Sequence, residues 1–228
     1  MPTNFSLYTA SVWILPVLVA ITFHEAAHAF AARFFGDETA SRLGRVSLNP
    51  LRHIDLFGTV LLPGVLLLSQ APFIFGYAKP VPVNFAALRN PRADMAWVAL
   101  AGPAINIVLA ILAALAFHIV DLAPTAASQW IFDNLKNALV INVILAVFNM
   151  FPLPPLDGGR IAVSILPNVV ARPLARLEPY GMLILIVLII VAPLLGQQLG
   201  TNVDYVSQAI NGATRFLIRT ILLVTGNT

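Results

Sequence analysis

His24, Glu25, Ala26, Ala27 and His28 form an H-E-x-x-H pattern inside an apolar run from about Leu7 to Phe35. On a helix, residues i and i+4 project from one face, so both imidazoles can reach a single metal ion. Glu25 lies beside that face, close enough to take a proton from a metal-bound water without being a ligand itself. The bland alternative is a buried polar cluster that glues helices together. An ionisable residue at bilayer depth costs about 2.5–3.5 kcal/mol on insertion scales, and a chance match there would have nothing to offset it. The pattern therefore points to hydrolytic zinc chemistry inside a membrane.

Two histidines leave a catalytic zinc site one protein ligand short of the usual three plus water. Candidates for the third are Asp157, His53, His118, Asp55 and Asp94. Asp157 stands out because Pro152, Pro154 and Pro155 unwind the end of the preceding apolar run and let a carboxylate turn inward. Non-helical backbone at membrane depth must be buried in protein or line a wet cavity. Without the histidine pair, Asp157-Gly158 would read equally well as a turn after a helix.

The elements that must position these residues are membrane spans. Hydrophobic residues make up 59% of the 228 and charged residues 10%, against about a quarter charged in a soluble domain. The expected class is an all-α polytopic membrane protein, with three transmembrane helices around an intramembrane zinc. Span one covers about residues 7–35 and reads as a retained helix, because it lacks a basic leader and carries His, Glu and His in its second half. Span two covers about 95–120, span three about 135–151 and span four 180–195; a weaker helix at 206–224 either crosses or lies along the interface. Residues 56–75 are apolar but broken by Pro63, Gly64 and Pro72. Residues 44–50 can hold a short strand, and alternate prolines force an extended backbone over Gly76–Asn84. The whole chain reads as one membrane-embedded peptidase domain, with a catalytic core over about 7–165 and C-terminal helices over about 178–226. There are no cysteines, which excludes disulfides, thiolate ligands and a cysteine nucleophile. A net charge of +3 without a basic run among aromatics gives no sign of a nucleic-acid partner.

Three separated motifs resemble the site-2 protease family of intramembrane zinc metalloproteases. His24-Glu25-Ala26-Ala27-His28 matches its H-E-x-x-H. Asn149, Pro152, Pro154, Leu156, Asp157 and Gly158 match its N-x-x-P-x-P-x-L-D-G, and Gly102-Pro103-Ala104-Ile105-Asn106 resembles its G-P-x-x-N. His53-Ile54-Asp55 with Gly58-Thr59, and Lys79 to Asn84, resemble features of the compact members, although Leu56 stands where those often have proline. The resemblance is to the compact form, without PDZ or CBS domains. It implies that His24, His28 and Asp157 bind one zinc and that Glu25 is the general base. Asn149 becomes a donor to the substrate backbone or oxyanion, or else makes an interhelical hydrogen bond. Asn106 reads as more structural than catalytic, His53 is a loop residue that can face the site, and His118 an interface residue. The implied substrate is a membrane protein whose transmembrane helix unwinds locally, pairing by edge addition near Val46–Leu48 or Val81–Val83. A transporter would instead string its carboxylates along several helices, and a silent scaffold would have lost Glu25 or a ligand.

Topology follows from the metal. His24 and His28 lie late in span one and Asp157 just after span three, so spans one and three must run parallel. Residues 56–75 must then enter and leave on the same side. With that reading Arg33, Arg42, Arg45, Arg52, Lys79, Arg89, Arg92, Arg160, Arg172 and Arg176 share one side, which the positive-inside tendency makes cytoplasmic. The zinc site then lies toward the cytoplasmic side of the cell membrane. The opposite loop, 120–134, carries two aspartates and no basic residue.

Overall fold

Apolar side chains in unbroken runs give this chain helices of membrane length. The structure, a computed structural model, describes residues 7–61, 65, 79–198 and 204–227. Helix α1 spans Leu7–Phe34, α2 Pro91–Ala116 and α3 Thr125–Asn149. Shorter helices α4 (Asp157–Ile165) and α5 (Asn168–Ala175) follow, then an apolar stretch α6 (Glu178–Gly196) and finally α7 (Tyr205–Val224). Among the described residues, four segments are long and apolar enough to cross a membrane: Leu7–Phe34, Pro91–Leu122, Thr125–Asn149 and Glu178–Gly196. At 28 residues, α1 is about 42 Å long, comfortably more than the roughly 30 Å hydrocarbon layer.

Side-chain size decides which face packs inward. Along α2, Ala99, Gly102, Ala110, Ala113 and Ala114 are buried, while Leu100, Val108, Leu112 and Leu115 are exposed. Small residues let helix backbones approach where lipid offers no hydrophobic drive to associate. Pro91 opens the helix, where its missing N–H costs nothing, and the Asp94 carboxylate accepts the Asn90 N–H at 2.7 Å. Helix α7 packs Leu217, Ile218, Ile221 and Leu222 onto Ala110, Leu139 and Val143. Its end is tied to α2: Asn227 donates to the Ala114 carbonyl at 2.8 Å, and His118 donates to the Thr225 carbonyl at 2.6 Å.

Helices α1 and α3 run parallel, as a shared metal requires. Tyr8 donates to Asp133 (2.5 Å), Trp130 to Ser11 (2.9 Å) and Asn137 to the Val12 carbonyl (2.9 Å). Helix α2 runs antiparallel to both, with Arg89 bonded to Phe35 and Val98 beside His28.

Two expectations need correction. Residues 125–134 are helix, not loop: α3 begins ten residues before Leu135, and its polar residues Trp130, Asp133 and Asn137 are the ones that bond to α1. Among the described residues there is no strand at 44–50. Residues 79–84 are extended but cannot form a ladder. Pro80 and Pro82 lack an N–H, and side chains take the polar groups left over: Arg45 donates to the Lys79 and Pro80 carbonyls, and Glu25 accepts the Val81 N–H. The breaks at Pro63, Gly64 and Pro72, and the first three residues of the extended stretch, Gly76, Tyr77 and Ala78, lie outside the described residues. The flanks of that segment do meet, with Lys79 N–H donating to the His53 carbonyl at 3.0 Å.

Candidate metal centre

The buried side chains of His24, His28 and Asp157 converge on one point. His24 Nε2 and His28 Nε2 are 3.1 Å apart, and Asp157 Oδ2 is 3.3 Å from the first and 3.4 Å from the second. The other ring nitrogens are engaged: His24 Nδ1 donates to Asn106 Oδ1 at 2.6 Å, and His28 Nδ1 to the Val98 carbonyl at 2.8 Å. A neutral imidazole that donates from Nδ1 has only a lone pair at Nε2. Asp157 Oδ2 is buried without a hydrogen-bond partner. With both imidazoles neutral, three acceptor atoms face one another, which is unfavourable unless a cation sits among them.

The dimensions fit zinc. Ligands 2.0–2.1 Å from a tetrahedral ion stand about 3.3 Å from one another. The observed triangle of 3.1, 3.3 and 3.4 Å has that size. Two neutral imidazoles and one carboxylate also leave the fourth position free, as a hydrolytic site needs.

Local sequence explains each placement. The histidines lie one turn apart on the unbroken second half of α1. A Cβ on Gly102 would stand 2.4 Å from His28 Nε2 and 2.6 Å from His24 Cε1, so only glycine lets α2 lie against both rings. Asp157 opens α4. The loop before it folds back so closely that a Cβ on Gly158 would meet the Met150 carbonyl oxygen at 2.1 Å, and one on Gly159 the Pro154 nitrogen at 2.1 Å. The Pro154–Pro155 peptide is cis. The prolines end α3, and the paired glycines let the turn close tightly enough to return Asp157 to the histidines.

Half-buried Glu25 accepts the Val81 N–H at 2.7 Å. That segment is held from three directions. Arg45, only 7% exposed, bonds Lys79 and Pro80; Asp37, fully buried, accepts the Asn84 N–H; Val81 and Val83 pack with Ala29, Ala40 and Val46.

The remaining candidates stand elsewhere. Among the described residues, the metal-binding group contains only His24, His28 and Asp157. His53 is buried and donates from Nε2 to the Ser47 carbonyl; Asp55 accepts the Gly58 N–H; Asp94 caps α2. Asn149 donates to the Leu145 carbonyl of its own helix at 3.0 Å. Asn106 is fully buried and touches a histidine directly. Two contributors went unread in the sequence. Asn142 accepts a hydrogen bond from Asn106 at 2.7 Å, and the Val81 N–H meets Glu25. An asparagine in the middle of an apolar span was a visible signal for the first.

Comparison with known proteins agrees with this geometry. The model of Peptidase family M50 matches residues 12–128 and 116–192. "Putative zinc metalloprotease YwhC" of Bacillus subtilis is 36% identical over 181 residues, covering 78% of this chain and 79% of its own. "Putative zinc metalloprotease Rip2" of Mycolicibacterium smegmatis is 33% identical over 175 residues, covering 76% of this chain and 64% of its own. Rip2 of Mycobacterium tuberculosis (strain H37Rv) is 28% identical over 187 residues, 78% of this chain and 66% of its own. No solved structure matches. With its polytopic helices and its family-model match, the chain belongs to peptidase family M50, the site-2 proteases, and is a metalloprotease.

Proposed function

We propose that this protein is an intramembrane zinc endopeptidase that hydrolyses peptide bonds in or near the transmembrane segments of other membrane proteins. The observation that carries the reading is depth. His24 lies ten residues from Phe34, the end of α1, or about 15 Å along the helix, which would set it near the middle of a roughly 30 Å hydrocarbon layer bounded at that end. A water-requiring site at that depth suits a substrate that is itself in the membrane.

His24, His28 and Asp157 would hold the zinc, which when bound would supply Lewis acidity to polarise the scissile carbonyl and acidify an attacking water. Glu25 takes the proton from that water and passes it to the leaving amine. The Val81 N–H holds one carboxylate oxygen at 2.7 Å, leaving the other to do this work. A helix hides its carbonyls in its own hydrogen bonds, so the substrate must unwind locally before it is cut. The basic residues on the zinc side, from Arg33, Arg42 and Arg45 to Arg172 and Arg176, support a cell-membrane location with the site toward the cytoplasm.

Purified protein reconstituted with a single-span membrane substrate tests the reading. Wild type should cleave in a zinc-dependent manner, and Glu25→Gln should keep one zinc per chain while losing cleavage. Wild-type cleavage by Glu25→Gln would overturn the role of the base.

A further inference from the structure

We propose that Asn142 is a positioning residue for the metal centre, acting through Asn106 to fix which nitrogen of His24 is available to zinc. The inference rests on the zinc reading above and extends it to two amides that contact no metal ligand atom. Asn106 is 0% exposed and Asn142 2%, so neither can be satisfied by solvent. Their hydrogen bonds form a chain with one direction. Asn142 Nδ2 donates to the Ala138 carbonyl at 2.9 Å, and its Oδ1 accepts from Asn106 Nδ2 at 2.7 Å. Asn106 Nδ2 also donates to the Ala20 carbonyl at 3.2 Å, and its Oδ1 faces His24 Nδ1 at 2.6 Å.

Backbone carbonyls can only accept, so Ala138 and Ala20 set the sense of the chain at two points. Asn142 must turn its amide nitrogen to Ala138 and therefore its oxygen to Asn106. Asn106 then has both protons committed, to Asn142 and to Ala20, and only its oxygen is left for the imidazole. His24 must answer with a proton on Nδ1, which leaves the Nε2 lone pair pointing at His28 and Asp157. With Asn106 flipped, its NH₂ would face Nδ1, the ring proton would move to Nε2, and the metal-binding position would be blocked. Asn142 thus connects the middle of α3 to the ligand pair on α1, with α2 carrying the intermediate amide. Outer partners of metal-bound histidines typically change affinity or activity about 10–100-fold when removed.

The test is a double-mutant cycle on zinc affinity, read by chelator competition with the full chain in lipid nanodiscs. His24→Ala serves as the control for the site itself. Asn142→Leu should raise the zinc dissociation constant about 10–100-fold, and adding it to Asn106→Leu should cost little more, because the relay is already cut. Nitrogen NMR of the metal-free protein, labelled at histidine, should show the His24 proton shifting from Nδ1 toward Nε2 in Asn142→Leu. Asn142→Ser should bind zinc more tightly than Asn142→Ala, since its hydroxyl can still accept from Asn106. That pair decides the matter if Asn142→Leu does not fold. Unchanged zinc affinity and tautomer in Asn142→Leu, full additivity with Asn106→Leu, or equal affinities for the Ser and Ala variants would overturn the proposal. If His24→Ala binds zinc like wild type, the metal-site reading itself fails.

Discussion

Gly102→Ala is the sharpest single-atom test of the metal centre. The new methyl would stand 2.4 Å from His28 Nε2, 2.6 Å from His24 Cε1 and 2.6 Å from His28 Cε1. Ordinary carbon contacts begin near 3.5 Å, so about 1 Å must be found somewhere. The rings are a poor place to find it, because each is pinned at Nδ1, by Asn106 and by the Val98 carbonyl. Moving them by 1 Å takes Nε2 well outside the roughly 0.2 Å tolerance of a zinc–ligand distance. Moving α2 instead opens its packing on α1, at about 1–3 kcal/mol for an overpacked site. Either route separates the ligands, and a 1 Å misplacement alone can cost about 100-fold in rate. Zinc affinity by chelator competition and cleavage of a reconstituted substrate should both fall by at least about 100-fold. Gly212→Ala is the matched control: its Cβ meets nothing within 4 Å, so it should be neutral or stabilise by up to about 1 kcal/mol. Wild-type zinc affinity and cleavage in Gly102→Ala would refute the claim that α2 presses on both rings.

Asp157→Asn should lose both zinc affinity and cleavage, unlike Glu25→Gln, because a neutral amide is a poor zinc ligand. Unchanged zinc content in Asp157→Ala would remove it from the ligand set. Arg45→Met should lower stability by about 1–3 kcal/mol, since the carbonyls of Lys79 and Pro80 lose their donor. An unaltered thermal midpoint would show that Arg45 does not hold that segment. Cysteines placed at exposed Leu43 and Lys79 should both react with impermeant reagents only from the cytoplasm, and one at Leu122 only from outside. Labelling of the Lys79 position from outside would contradict the common side that Arg45 and Lys79 share.

Much of the site was legible because its signals are local. The histidine pair is a one-turn spacing, and the three prolines before Asp157 can only break a helix. The start of α3 was not legible for a related reason. Ser128, Gln129, Asp133 and Asn134 read as loop by polarity, yet the structure uses Asp133, with its neighbour Trp130, to bind α1. Polarity marks a contact as readily as it marks solvent, and one sequence does not say which. The extended backbone at 79–84 was legible from its prolines, but its partners were not. Arg45, Glu25 and Asp37 lie more than thirty residues away, and no pattern of spacing ties them to it.

The parallel register of α1 and α3 explains why the third ligand has to follow a broken helix. Tyr8 bonds Asp133, so the two helices share a level there. Sixteen residues on from Tyr8 is His24, and sixteen on from Asp133 is Asn149, the last residue of α3. At 1.5 Å per residue both lie about 24 Å further along, so α3 ends at the depth of the first histidine. One more turn of helix would carry the chain about 5 Å past the site and leave a carboxylate there beyond reach. Ending α3 at Asn149 instead lets residues 150–156 fold back on Gly158 and Gly159, so that Asp157 begins α4 at the histidines' own level. The backbone freed by that break lies within protein, with Leu153 and Leu156 buried against Leu185 of α6. Helix α6 thus shields an irregular turn that lipid alone would not tolerate.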